Sequence, residues 1–303
     1  MAAINKDKWL YDNTESLTGK KVAVTGSTGG IGSPLCFYLA KLGANLILLD
    51  RNLEKSQNFG NSLKKQFPQI KIEFITVDLS SIESVKSASD RLKAAKPDIF
   101  IHNAGAYFIP KAISDTGYNN IFQINFVSPY FIIRELLPIL RQNGGRAVVV
   151  GSIAHNYSRI DVNDIDFSTR SAASFIYGNA KRYLMFSLFE LFKGEEKATL
   201  AVTHPGITFT NITAHYPKPI YAFIKRPMKI IFMKPKMACL SIVKGVFADT
   251  GYNKWFGPRF FGIWGKPKLT KLKTCKQSER AEIFRIAEEI YDGINSKESC
   301  VKN

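Results

Sequence analysis

Tyr177 and Lys181 stand four residues apart in a stretch of helical periodicity, so their side chains share one helix face. An ammonium beside a phenol stabilises the phenolate and lowers the tyrosine pKa from about 10 toward neutrality, which makes Tyr177 a usable general acid and base. Ser152 follows the apolar run Val148-Val149-Val150-Gly151, where its hydroxyl can polarise a carbonyl oxygen at the same point. Far upstream, Thr25-Gly26-Ser27-Thr28-Gly29-Gly30-Ile31-Gly32 lies between a short apolar run and a helix-length segment. Glycines at 26, 30 and 32 let the chain turn tightly and bring backbone N–H groups to a pyrophosphate at a helix N-terminus. Asp50 ends the second apolar run, a place from which a carboxylate accepts hydrogen bonds from an adenosine ribose and repels a 2′-phosphate. Arg51 beside it offers that phosphate a guanidinium, and the balance of the two favours NAD(H) over NADP(H).

These residues need a scaffold, and the first 200 positions supply one phrase repeatedly: a short apolar run, a turn, then an amphipathic segment. The runs Lys21 to Thr25, Asn45 to Asp50, Lys71 to Val77, Asp98 to His102, Arg146 to Gly151 and Thr199 to Thr203 read as buried strands. Helices are expected over Ser33 to Leu42, Leu53 to Phe67, Ser81 to Ala95, Gly117 to Leu140 and Ala173 to Phe192, with a last one over Ser278 to Gly293. Alternation of this kind predicts a doubly wound parallel α/β sheet, the Rossmann fold, with a ligand crevice at the carboxyl ends of the strands. The expected organisation is an extension over 1–18, one domain over 19–295 whose pattern loosens in a basic stretch at 205–236, and a tail over 296–303.

Composition agrees with a globular chain: 303 residues, 45% apolar and 22% charged. Four well-separated cysteines, Cys36, Cys239, Cys275 and Cys300, suggest neither a disulfide framework nor a zinc site and fit a reducing, cytoplasmic setting. No secretory leader or membrane-spanning stretch is expected, since charged residues interrupt every apolar run. His102, His155, His204 and His215 form no ligand pattern, and no metal is expected. Asp161 to Asp166 lacks the glycine and a ligand position of a calcium loop.

In order and spacing, these motifs resemble the short-chain dehydrogenase/reductase family from about Gly19 to about Ala248. The glycine loop matches the family's cofactor fingerprint, and Asp78-Leu79 the strand-end acid beside adenine. Asn103-Ala104-Gly105 matches a motif behind the cofactor, with His102 in place of the more usual first asparagine. The resemblance implies a catalytic tetrad of Asn125, Ser152, Tyr177 and Lys181. Tyr177 exchanges the proton, Ser152 holds the oxygen, Lys181 tunes the tyrosine and binds ribose, and Asn125 holds a relay water. Pro205-Gly206 and Thr210 would touch the nicotinamide amide, and the resemblance makes the stretch 205–236 a substrate flap. The gap between Ser152 and Tyr177 is similar to that of the retinol dehydrogenase and protochlorophyllide reductase branch, although Asp50 departs from that branch's arginine-type signature. Implied are an NAD(P)-dependent alcohol dehydrogenase or carbonyl reductase acting on an apolar small molecule, and pairing of copies into a homodimer or homotetramer.

The net charge of +17 is concentrated late in the chain: residues 214–276 carry 14 basic residues and one acidic residue, Asp249. Three uses compete: a solvated surface, a flap whose Tyr216, Phe223, Ile224 and Phe232 wall a pocket, or contact with an anionic membrane. No nucleic-acid reader motif accompanies the charge. Two functions of other classes stand beside the enzyme: a dinucleotide-sensing regulator that does not turn over substrate, and a membrane-surface or nucleic-acid binder using 214–276.

Overall fold

The computed structural model describes residues 5–208 and 232–299. Strands β1 (Lys21–Thr25), β2 (Asn45–Asp50), β3 (Ile72–Thr76), β4 (Ile99–His102), β5 (Arg146–Val150) and β6 (Thr199–Thr203) fall on the six apolar runs. Two more strands, β7 (Lys254–Phe260) and β8 (Trp264–Lys271), enlarge the sheet beyond the six read from the sequence. Pro258 and Pro267 stand opposite each other in this pair. Proline cannot donate to a ladder and belongs at sheet edges, so its presence among lysines conceals the strand pattern.

The strand order is β3-β2-β1-β4-β5-β6-β7-β8. All pairings are parallel except the last, a β7–β8 hairpin. The order reverses between β1 and β4, and a crevice opens beyond the carboxyl ends of strands at such a switch.

The helices are α1 (Lys6–Asn13), α2 (Gly32–Lys41), α3 (Leu53–Gln66), α4 (Ile82–Ala95), α5 (Asn120–Phe122), α6 (Ser128–Asn143), α7 (Ala173–Leu191), α8 (Pro235–Ala238), α9 (Leu240–Phe247) and α10 (Gln277–Ser299). Period-two alternation in the strands divides the core between the faces of the sheet. Ala23, Ile47, Phe100, Ala147 and Val202 pack with Val85, Leu136, Phe186 and Ile286 from α4, α6, α7 and α10. Val22, Val24, Leu46, Ile101 and Val148 pack with Leu35, Leu39 and Val243 from α2 and α9.

Trp9 and Leu10 of α1 join that second cluster, so part of the N-terminal extension is docked on the domain. A helix of 8 residues is too short to persist alone, and burial of side chains this large contributes about 1.5 to 3 kcal/mol each. The continuous helix expected from Gly117 to Leu140 is instead α5, a π-helical turn Gln123–Val127 and α6. Apolar residues on both sides of the junction, Phe126 and Val127 in the π turn and Tyr130 and Phe131 after it, are buried, so the sequence reads through it as one helix. Most of the expected flap lies outside the described residues.

Candidate active site

The glycine loop follows β1 and is tied to the end of β4. Gly26 has φ +66°, and a Cβ there would stand 3.0 Å from Ala104 Cα, so both conformation and space call for glycine. Asn103 donates its amide to the Thr25 and Gly26 carbonyls, 3.1 Å each. Thr25 Oγ1 accepts from the Asn103 and Ala104 backbone N–H groups at 3.0 and 3.1 Å. Ile31, the residue before α2, gives the helix no side-chain cap. Ser33 N donates to Gly29 O at 3.0 Å and Pro34 has no N–H, so the donors that this helix start offers an anion are the Ile31 and Gly32 N–H groups.

Asp50 is buried and turned toward the same loop. One oxygen accepts from Thr28 N and Thr28 Oγ1, both at 3.1 Å. The other accepts from Ser56 Oγ at 2.8 Å and from Ser27 Oγ. A carboxylate offers about four lone-pair positions, and all of them are engaged here. Asp50 thus braces the loop against α3, and the ribose contact read from the sequence competes with those ties. Arg51 is exposed beside it.

Ser152 opens a short 3₁₀ turn, Ile153–Asn156, and its Oγ accepts from Ala154 N at 3.2 Å. Helix α7 passes over that turn. A Cβ on Gly178 would overlap the Ala154 carbonyl oxygen, so the glycine after Tyr177 permits the close approach. Lys181 Nζ donates to Val150 O at 2.9 Å and lies 5.7 Å from the centre of the Tyr177 ring.

The electrostatics differ from the sequence reading. Burial pushes the Tyr177 phenol up to about 12, with a hydrogen bond from Ser152 drawing it partly back. Burial also pulls Lys181 down to about 7. The expected lowering of Tyr177 by Lys181 is absent because a carbonyl at the end of β5 holds the ammonium and desolvation weakens its charge.

Asn125 lies in the π turn, a feature that recurs at functional sites. Its amide donates to Ala106 O and Ile121 O, 2.7 Å each. Asn125 Oδ1 and Lys181 Nζ stand 2.8 and 3.7 Å from the point where a Cβ of Gly105 would be.

These elements surround a cavity of about 470 Å³. Gly26, Gly30 and Ile31 line one part, Asn103, Ala104 and Gly105 another, and Ser152, Tyr177, Lys181, Pro205 and Gly206 the rest. Ser27, Thr28, Gly32, Asp50, Arg51, Asp78, Leu79 and Asn125 are not among its walls. Asp78 instead accepts from Ser80 N and Ser80 Oγ at 2.9 and 2.6 Å. Thr210 lies outside the described residues.

The walls also include Tyr107, Ile153, Tyr157, His204, Ile207 and Phe232, of which only Phe232 was anticipated. The Tyr107 and Tyr177 rings meet edge-on at 5.1 Å. His204 was read as an ordinary structural histidine, and its position just before Pro205-Gly206 was the available signal. Its ring stacks on Trp255 at 4.8 Å, and burial holds it down at about 4 against the adjacent Gly151 and Gly262 backbone.

Arg182 joins the turn that follows Ser152 to the C-terminal helix α10. It pairs with both oxygens of Glu279 at 2.7 Å and donates to His155 O and Thr274 O at 2.9 and 2.7 Å. His155 bridges Ser152 O and Thr274 Oγ1 at 2.5 and 2.8 Å. Among the described residues no His, Cys, Asp or Glu cluster is arranged to hold a metal, and no helix is long and apolar enough to cross a membrane.

The short chain dehydrogenase family profile matches residues 20–163. An uncharacterized oxidoreductase of Schizosaccharomyces pombe is 33% identical over 71% of this chain and 68% of its own. Mouse retinol dehydrogenase 14 is 27% identical over 89% of this chain and 85% of its own. Human retinol dehydrogenase 13 is 23% identical over 93% and 78% respectively. A crystal structure of an uncharacterized Mycobacterium paratuberculosis protein superposes with TM-score 0.69 at 21% identity, covering 93% of this chain and 96% of that one. A 3-oxoacyl-(acyl-carrier-protein) reductase of Agrobacterium tumefaciens, solved with NADP, shares the fold at TM-score 0.60 and 20% identity over 77% and 88%. The chain therefore belongs to the short-chain dehydrogenase/reductase family of oxidoreductases.

Proposed function

We propose that the protein is an NAD(P)-dependent alcohol dehydrogenase or carbonyl reductase for an apolar substrate. The observation that carries this reading is the meeting of Ser152, Tyr177 and Lys181 in one cavity with the glycine loop. The loop at Gly26 to Gly32, Asn103 to Gly105 and Pro205-Gly206 would hold the dinucleotide, and the uncapped start of α2 suits its pyrophosphate. When bound, the dinucleotide supplies or accepts the hydride.

The chain's own residues do the proton chemistry. Tyr177 donates its proton to a carbonyl oxygen or takes one from an alcohol, and its raised pKa keeps it protonated at neutral pH as an acid. Ser152 holds the reacting oxygen beside it. Lys181 would hold the ribose, and Asn125 anchors a proton path beside it. The apolar character of the substrate follows from Tyr107, Ile153, Tyr157, Ile207 and Phe232 on the walls.

NAD(H) is the preferred form in this reading, since Asp50 keeps a carboxylate at the end of β2 where a 2′-phosphate would add a second negative charge. The proposal is tested by dinucleotide absorbance in parallel assays with NADH and NADPH against aldehydes and ketones of rising chain length. The expected result is turnover that grows with apolar length and is faster with NADH. Bound dinucleotide without turnover across the panel would favour a sensor.

A further inference from the structure

The late basic segment contains the hairpin β7–β8, which lies beyond the residues matched by the family profile. Phe260-Phe261-Gly262-Ile263 form its turn, closed by a hydrogen bond from Ile263 N to Phe260 O at 2.9 Å. Phe261 and Gly262 have φ +52° and +68°, the left-handed region that glycine and asparagine favour. Phenylalanine there is conformationally costly, yet the side chain is 88% exposed and recovers nothing by burial. Phe260 beside it is also exposed, with the Arg259 guanidinium 5.7 Å above its ring.

Strand β8, which leaves this tip, and the segment that follows it are cationic. Lys266, Lys268, Lys271, Lys273 and Lys276 are all exposed, and no acidic residue occurs between Asp249 and Glu279. Lysines on an edge strand also deter edge-to-edge pairing, but that role requires neither Phe260 nor Phe261.

The tip adjoins the cavity. A Cβ on Gly262 would stand 3.6 Å from Ile153 Cγ2, and one on Gly206 would stand 2.7 Å from Ile263 O. Ile153 and Gly206 both wall the cavity.

We propose that the β7–β8 hairpin docks the protein on an anionic lipid bilayer. The Phe260–Phe261 tip enters the interfacial region, and the lysines of β8 lie against acidic headgroups. An apolar substrate dissolved in the bilayer then meets the cavity mouth without crossing bulk water. This last step rests on the proposed reaction; the docking does not.

The test is flotation of the full chain with vesicles of phosphatidylcholine alone and of phosphatidylcholine mixed with phosphatidylserine, at low and high salt. The wild type is expected to float with the mixed vesicles only, and less at high salt. Phe261→Asn suits the turn and keeps the fold, yet should weaken binding by about tenfold or more. Lys266→Glu combined with Lys268→Glu should weaken it further, each basic residue near such a surface contributing about fivefold. Absence of flotation, equal flotation with neutral vesicles, or variants that float like the wild type would each overturn the proposal. So would hairpin-dependent retention of duplex nucleic acid without flotation. Because no substrate or turnover enters the readout, failure here is separate from failure of the proposed reaction.

Discussion

Gly178 and Ala154 touch so closely that a side chain on the glycine would overlap the alanine's carbonyl oxygen. This contact sets the distance between α7, which carries Tyr177 and Lys181, and the turn that begins at Ser152. Gly178→Ala should shift the helix outward and cost about 1 to 3 kcal/mol of stability. A misplacement of about 1 Å costs roughly 10²-fold in turnover, so kcat should fall far more than KM rises. Steady-state kinetics with a melting curve check both effects, and an unchanged kcat would mean that the contact does not position the site.

Asp50 gives a prediction with two separable parts. In Asp50→Asn, an amide has one acceptor oxygen and cannot replace all four acceptor positions serving Ser27, Thr28 and Ser56. Loss of buried hydrogen bonds costs about 1 to 3 kcal/mol, so KM for NADH should rise roughly 5- to 100-fold. Removal of the charge should also move the ratio of kcat/KM values toward NADPH. Both are read from paired kinetics with the two dinucleotides, and a wild type faster with NADPH would reject the cofactor preference.

Much of this site is legible in the sequence, and the reasons it is not wholly so are physical. The glycine loop and Tyr177-x-x-x-Lys181 are local patterns whose chemistry is set by spacing. Strands β1, β2, β4, β5 and β6 are buried on both faces and read as apolar runs. Strand β8 is the sheet edge and β7 meets β6 only at Phe256, so prolines and lysines are tolerated in this hairpin and the pattern dissolves. Burial of Lys181 and the inward turn of Asp50 depend on neighbours far away in the chain. Arg182 meets Glu279 across 97 positions, a pairing that no local spacing announces.

That pairing should be needed for the shape of the turn that follows Ser152. Glu279→Gln leaves the buried Arg182 charge without its counter-ion, for which losses of about 3 to 5 kcal/mol are typical. A lowered melting temperature is expected, together with a drop in kcat that added dinucleotide does not restore. Glu279→Asp, which keeps the charge, should recover part of both, and equal behaviour of the two variants would argue against an electrostatic role.

The buried imidazoles of His155 and His204 predict acid sensitivity. Both are held by burial at about 4, below the ordinary 6.5, so the unfolded chain takes up their protons first as pH falls. Their contribution is fully present above pH 6.5 and is lost as pH falls toward 4. Its size is on the order of 3 kcal/mol per imidazole. His204→Phe preserves the stacking on Trp255 and removes one titrating group. Its melting temperature should decline less steeply over that interval than the wild type's, whereas parallel declines would remove His204 from the account.

The central claim is that Tyr177 moves the proton in a hydride-transfer reaction. The most direct measurement is single-turnover oxidation of NADH by a long-chain aldehyde, followed by nicotinamide absorbance in the wild type and in Tyr177→Phe. A rate lowered by about 10² to 10⁴, with NADH affinity and melting temperature nearly unchanged, is the predicted result. Equal rates in the two proteins would contradict it.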